Sequence, residues 1–159
     1  MADNLGKEWE DMVEEWLVVN NICYDRIPDQ MSGRKGSKNV CDYDAYVYPH
    51  LYYMECKECA SSSFNMLQNI SEHQWIKMLE KDRFPGVRAG YVIWMSQPNR
   101  AFWISPLMLN LYYTAGKKSV SAGDLAEGGI ELILFQKRTK WHLETLIDAV
   151  EQRLTQVDY

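Results

Sequence analysis

No stretch of this chain approaches the roughly 20 consecutive apolar residues that a membrane-spanning helix needs. The opening MADNLGKEWEDMVEEW lacks the basic start and apolar centre of a secretory signal, so a cytoplasmic protein is expected. Cysteine is sparse: Cys23, Cys41, Cys56 and Cys59 are the whole complement, and in a reducing compartment they stay unpaired. Cys56 and Cys59 have the spacing of half a zinc knuckle, but no second such pair follows. His50, His73 and His142 have no metal-ligand spacing either, which excludes a zinc module. Extended backbone would send Cys56 and Cys59 to opposite sheet faces, as two small buried hydrophobes. Basic residues are outnumbered, with 17 Lys and Arg against 22 Asp and Glu, so bulk charge gives no pull toward nucleic acid. Internal repeats and low-complexity segments are absent.

What is present is a domain-sized chain of 159 residues, 47% hydrophobic and 13% aromatic, enough for one buried core. The bases that do occur are grouped: Arg34, Lys35 and Lys38; Lys117 and Lys118; Lys137, Arg138 and Lys140. Residues 6–20 carry Trp9, Met12, Val13, Trp16 and Leu17 at helical spacing, capped by Asn4 or Asp3, with Glu10 at the edge of the apolar stripe. Ile22–Ile27 reads as extended, and PDQMSGRKGSKN (28–39) as a mobile basic loop. Residues 40–47 and 51–58 read as a hairpin, SSSFNMLQN as a polar link, and 71–83 as a helix capped by Ser71. Strands are expected at 90–95, 101–105 and 130–135, a helical piece around Leu107–Leu111, a basic turn in AGKKSVSAGDL, and a final helix over 141–154. This order predicts a single α/β domain, a central mixed β-sheet flanked by helices.

The hairpin CDYDAYVYPHLYYMECKE poses the functional question. Strand periodicity puts Asp42, Asp44 and Tyr46 on one face of its first arm, and Tyr53, Glu55 and Lys57 on one face of its second. Folding about Tyr48-Pro49 brings Asp42 opposite Glu55. Two carboxylates among aromatic residues are costly to bury unless something pairs with them. Hard carboxylate oxygens suit Mg²⁺, which polarises a phosphate and activates water, and a lysine two residues after the glutamate can stabilise the charge that develops. A surface salt bridge would explain the bare Asp…Glu-x-Lys pattern equally well.

Several motifs in one order sharpen this. Gly6 and Glu10 stand in GKEWE, Asp42-Tyr43 opens the first strand, and Glu55-Cys56-Lys57-Glu58 follows thirteen residues after Asp42. Phe64, Leu67-Gln68-Asn69, His73-Gln74 and GKKSV (116–120) come after. In this the chain resembles the RecU-like Holliday-junction resolvases of Firmicutes and their phages, within the PD-(D/E)xK nuclease superfamily. The resemblance implies a restriction-endonuclease-like core and a homodimer that cuts four-way DNA junctions. It implies Asp42, Glu55 and Glu10 around Mg²⁺ (or Mn²⁺), Lys57 as the catalytic lysine, and Gln74 steadying water or phosphate; Asp44 is a reserve ligand. The basic loop with Arg34, Lys35 and Lys38 occupies the place of a longer family insertion and could reach DNA phosphates.

Plainer readings stand beside these. Glu10 could be an exposed helix acid, Gln74 a capping-box residue, Lys117 and Lys118 a solvated turn. Ser61 to Ser63 could be only a linker, although the hydroxyls of Ser62 and Ser63 could also bind phosphate oxygens. The alternative functions are a superfamily nuclease acting on duplex or flap DNA, and a non-catalytic branched-DNA-binding protein.

Overall fold

A computed structural model describes residues 4–28 and 41–157. The basic loop expected over 28–39, with Arg34, Lys35 and Lys38, lies outside the described residues apart from Pro28.

Helix α1 (Leu5–Val19) starts where the Asn4 side chain accepts from the Lys7 amide at 3.1 Å, satisfying one of the donors a helix start leaves open. Its stripe of Trp9, Met12, Val13, Trp16 and Leu17 is buried. Strands β1 (Cys23–Arg26), β2 (Tyr43–Val47) and β3 (His50–Cys59) form an antiparallel meander. The chain then passes through β4 (Ser63–Asn65), α2 (Met66–Asn69) and α3 (Glu72–Asp82) before β5 (Val87–Met95), which runs parallel to β3. A parallel partner requires such a crossover; a tight turn cannot supply it. Strand β6 (Arg100–Ile104) returns antiparallel, followed by α4 (Pro106–Thr114), β7 (Ser119–Ser121), α5 (Ala122–Gly128), and β8 (Ile130–Leu132), which pairs with β6. A two-stranded ribbon of β9 (Leu134–Lys137) and β10 (Lys140–Leu143), then α6 (Ile147–Val157), complete the described chain.

The central sheet has the order β1-β2-β3-β5-β6-β8. Its alternating side chains feed two cores. Tyr52, Met54, Cys56, Val92 and Trp94 pack with α1 and α6, while Ala89, Tyr91, Ile93, Phe102 and Ile104 pack with α2 to α5. Tyr53 and Cys59 lie on the second side, so Cys56 and Cys59 do face opposite ways. Gly90 permits the closest approach in the sheet: a β-carbon there would lie 2.2 Å from the Trp103 ring. The expected α/β architecture, a mixed sheet between helical layers, is the one observed.

Three expectations need correcting. The supposed polar link SSSFNMLQN is structured: Phe64 and Met66 are fully buried, and β4 pairs with β7 from inside the supposed basic turn. The strand expected over 130–135 is divided between two sheets, as β8 and β9. The helix expected over 141–154 begins only at Ile147, because Lys140–Leu143 pairs back onto β9 and places His142 in a strand. Among the described residues, no helix is long and apolar enough to cross a membrane.

Candidate active site

The β2–β3 register pairs Tyr43 with Met54 and Asp44 with Tyr53, so one further step sets Asp42 across from Glu55. The Asp42 amide donates to the Met54 carbonyl at 3.0 Å, and the Cys56 amide donates to Asp42 Oδ2 at 2.8 Å. The Asp42 carboxylate is thereby fixed against the backbone between Glu55 and Lys57. Strand β3 points Tyr53, Glu55 and Lys57 toward α3, away from the α1 side where Tyr52, Met54 and Cys56 are packed.

Glu55 is 5% exposed, the one charged residue among the fully buried described set. Its Oε1 lies 3.3 Å from Lys57 Nζ and accepts from Gln74 Nε2 at 3.1 Å; Lys57 Nζ in turn donates to Gln74 Oε1 at 3.2 Å. The three side chains close a triangle. Burial, then the neighbouring Asp42 charge, pushes the Glu55 carboxyl up to about 8, and the ammonium of Lys57 offsets only part of this. A buried carboxylate that prefers a proton, beside a second carboxylate, has the chemistry of a site for a hard divalent cation. Among the described residues, no three His, Cys, Asp or Glu side chains gather into a preformed ligand set. The two carboxylates of Asp42 and Glu55 are a donor set whose chemistry fits Mg²⁺, an ion that keeps several waters and binds through one or two carboxylates.

Gln74 settles one of the open readings. Ser71 Oγ accepts from the Gln74 amide at 3.2 Å, so the serine caps α3 while the glutamine side chain is spent on Glu55 and Lys57. Glu10 is placed differently from Asp42, Glu55, Lys57 and Gln74. Its Oε2 is 3.2 Å from Arg26 on the edge strand, and Arg26 also meets Asp11 and Glu14 at 3.3 Å. The Glu10 charge still acts on the buried Cys56 thiol, together with those of Asp42 and Glu55, so the helix acid flanks the site from the α1 side. Asp44 is two residues along the Asp42 face, 3.5 Å from the Cys41 thiol and opposite Asp25.

The remaining expected contacts form a separate group. The β4–β7 ladder pairs Ser63 with Ser121 and Asn65 with Ser119, bringing the serine segment beside the GKKSV segment. The Ser62 carbonyl accepts from Ala122 at 3.2 Å. Lys117 is committed to Asp124 at 2.8 Å, while Lys118 is exposed.

Sequence reading missed two neighbours. Arg26 had no signal, since its partners come from a helix some fifteen residues upstream. Tyr91 is the parallel-register partner of Glu55, and its buried hydroxyl has no hydrogen-bond partner among the described residues. Only a β3–β5 pairing could have brought Tyr91 to this place.

No curated protein sequence matches the chain. Among solved structures, Hjc from Archaeoglobus fulgidus, described as a Holliday junction resolvase from an archaeal hyperthermophile, shares 16% identity at a TM-score of 0.57, covering 79% of this chain and 95% of that one. At that identity the likeness speaks for the fold alone. A family model, RecU or recombination protein U, matches residues 24–148, a span holding Asp42, Glu55, Lys57 and Gln74 and most of both cores. The chain belongs to the RecU family.

Proposed function

We propose that this protein is a metal-dependent endodeoxyribonuclease that resolves four-way DNA junctions in recombination and repair, working in the cytoplasm as a homodimer. The observation that carries the reading is the closed triangle of Glu55, Lys57 and Gln74 with Asp42 pinned opposite. Membership of a recombination family and the fold shared with a junction resolvase support it. A structural salt bridge would have no need of a buried carboxylate driven up to about 8, or of a glutamine that spans both its partners.

In this reading Asp42 and Glu55 hold the ion, Mg²⁺ in preference to Mn²⁺. When bound, that ion polarises the scissile phosphate and acidifies a water. The chain's own residues do the rest. The Cys56 amide keeps Asp42 from turning away. Lys57 Nζ, released from Glu55 when the carboxylate is otherwise engaged, faces the developing phosphorane charge. Gln74, anchored by its capped helix, orients the attacking water or a phosphate oxygen. Glu10 would serve as a ligand only on leaving Arg26, so it would contribute less than the two strand carboxylates. Lys118, Ser62 and Ser63, with Arg34, Lys35 and Lys38 from the basic loop, supply phosphate contacts; Lys117 contributes once freed from Asp124.

The test is one gel comparing a synthetic four-way junction, a flap and a linear duplex with Mg²⁺, Ca²⁺ or chelator. Magnesium should support symmetric cutting of the junction, and calcium binding with little cutting. Asp42→Asn and Lys57→Ala should each lower cleavage by a factor on the order of a hundred or more while retaining binding. Equal cutting of all three substrates would leave a nuclease but not a resolvase. Tight junction binding with no metal-dependent cutting by the unmodified protein would leave only a DNA-binding protein.

A further inference from the structure

Six of the fourteen described Lys and Arg residues are in ion pairs: Arg26 with three acids, Lys57 with Glu55, Lys77 with Glu80, Arg88 with Glu151, Arg100 with Glu131 and Lys117 with Asp124. The ribbon of β9 and β10 gathers three of the other eight in one place. Its two-residue turn, Arg138-Thr139, is flanked by Lys137 and Lys140, all four residues are exposed, and none of the three cations is in an ion pair among the described residues.

Two features of this tip oppose folding. Lys137 and Lys140 are direct cross-strand partners, and like charges set opposite one another destabilise a ribbon. Arg138 has φ +61°, a left-handed conformation for which hairpin turns select Gly, Asn or Asp. The base of the ribbon is, by contrast, firmly held. Leu143 is buried, Trp141 and Leu134 pack against the core, Phe135 stacks on His142 at 5.2 Å, and His142 Nδ1 lies 3.0 Å from Glu15. A rigid stem thus presents an unneutralised, unfavourable cationic tip. Lys140 also borders a cleft with Lys7, Glu8, Asp11 and Glu15 of α1, without an ion pair to any of those acids. Lys137 and Arg138 are the less encumbered pair.

We infer that the tip of the β9–β10 ribbon, through Lys137, Arg138 and Lys140, is a contact for the phosphate backbone of DNA. Trp9 of α1 donates to the Val92 carbonyl at 2.8 Å, and Val92 is the register partner of Cys56, between Glu55 and Lys57. Helix α1 therefore packs at the level of Glu55 and Lys57 along β3 but on the opposite sheet face, and Lys140 adjoins its first turns. A two-stranded ribbon is narrow enough to follow a groove, and phosphate contacts of this kind fix orientation without reading sequence.

This inference rests on the DNA-cleaving reading above, and the experiment keeps the two apart. Binding of the full-length protein to a fluorescent four-way junction is followed by anisotropy in Ca²⁺ over a series of KCl concentrations. For Lys137→Gln with Arg138→Gln, and for the triple variant that adds Lys140→Gln, the dependence of log affinity on log salt should flatten by about one per cation removed. Arg138→Gly supplies a control on folding: relief of the left-handed arginine should raise Tm while affinity falls, opposite signs that a purely structural residue would not give. Unchanged slope and affinity in all three variants, with normal binding and cutting by the unmodified chain, would overturn the ribbon contact alone. Failure of the unmodified chain to bind any DNA would overturn the functional reading and this inference with it.

Discussion

Glu55 governs the site at the scale of single residues. Its carboxyl is pushed up to about 8 in the folded, metal-free protein, first by burial and then by Asp42, against an ordinary value of 4.5. The native state therefore holds a proton on this group that the unfolded chain has released between those two values. Where the native state binds more protons, stability falls as pH rises. The contribution of Glu55 is thus fully present below pH 4.5 and is lost as pH climbs through about 8. Urea melts of the metal-free protein across that window should show the decline, and Glu55→Gln, which cannot titrate, should flatten it. Identical pH profiles for the two proteins would mean that the carboxyl is not held as described. The same proton is what a divalent cation would displace, which links the pH dependence of stability to the affinity for metal.

Elements, above single residues, determine where these groups meet. Helix α3 delivers Gln74 because Ser71 caps it one turn earlier, so the two residues separate stability from function. Ser71→Ala should cost about 1 kcal/mol in a denaturant melt. Gln74→Ala should leave the melt nearly unchanged and depress junction cleavage. A cleavage loss that merely tracked stability in both variants would make the glutamine a helix residue and nothing more. The hairpin of β2 and β3 was legible because strict alternation, a Tyr48-Pro49 turn and charges among aromatics leave one sensible fold; it delivered Asp42 opposite Glu55. The ribbon of β9 and β10 was hidden, since its turn is Arg138-Thr139 without glycine or asparagine, and Trp141, Leu146, Ile147 and Val150 imitate helical spacing. Strands β4 and β7 escaped for another reason: each has three residues, and their pairing joins segments some fifty positions apart, which no local pattern records. The Glu10 position was readable as a helix edge, but its engagement by Arg26 depends on where β1 lies, a tertiary fact.

Over the whole molecule, a net charge of −5 and a DNA-directed function are reconciled by distribution. Acids of α1 neutralise Arg26, and Glu131, Glu151 and Asp124 neutralise Arg100, Arg88 and Lys117. Eight described cations have no ion pair, and three of them, Lys137, Arg138 and Lys140, meet at the ribbon tip. The parallel β3–β5 pair at the centre of the sheet carries the buried carboxylate, and both cores close around it. The claim on which everything depends is that Asp42 and Glu55 jointly bind one divalent ion. Calorimetric titration of Mg²⁺ into the full chain, repeated in buffers of different protonation enthalpy at neutral pH, addresses it directly. A single site with net proton release, abolished in both Asp42→Asn and Glu55→Gln, is the expected result. Undiminished magnesium binding by either variant, or binding without proton release, would contradict the account.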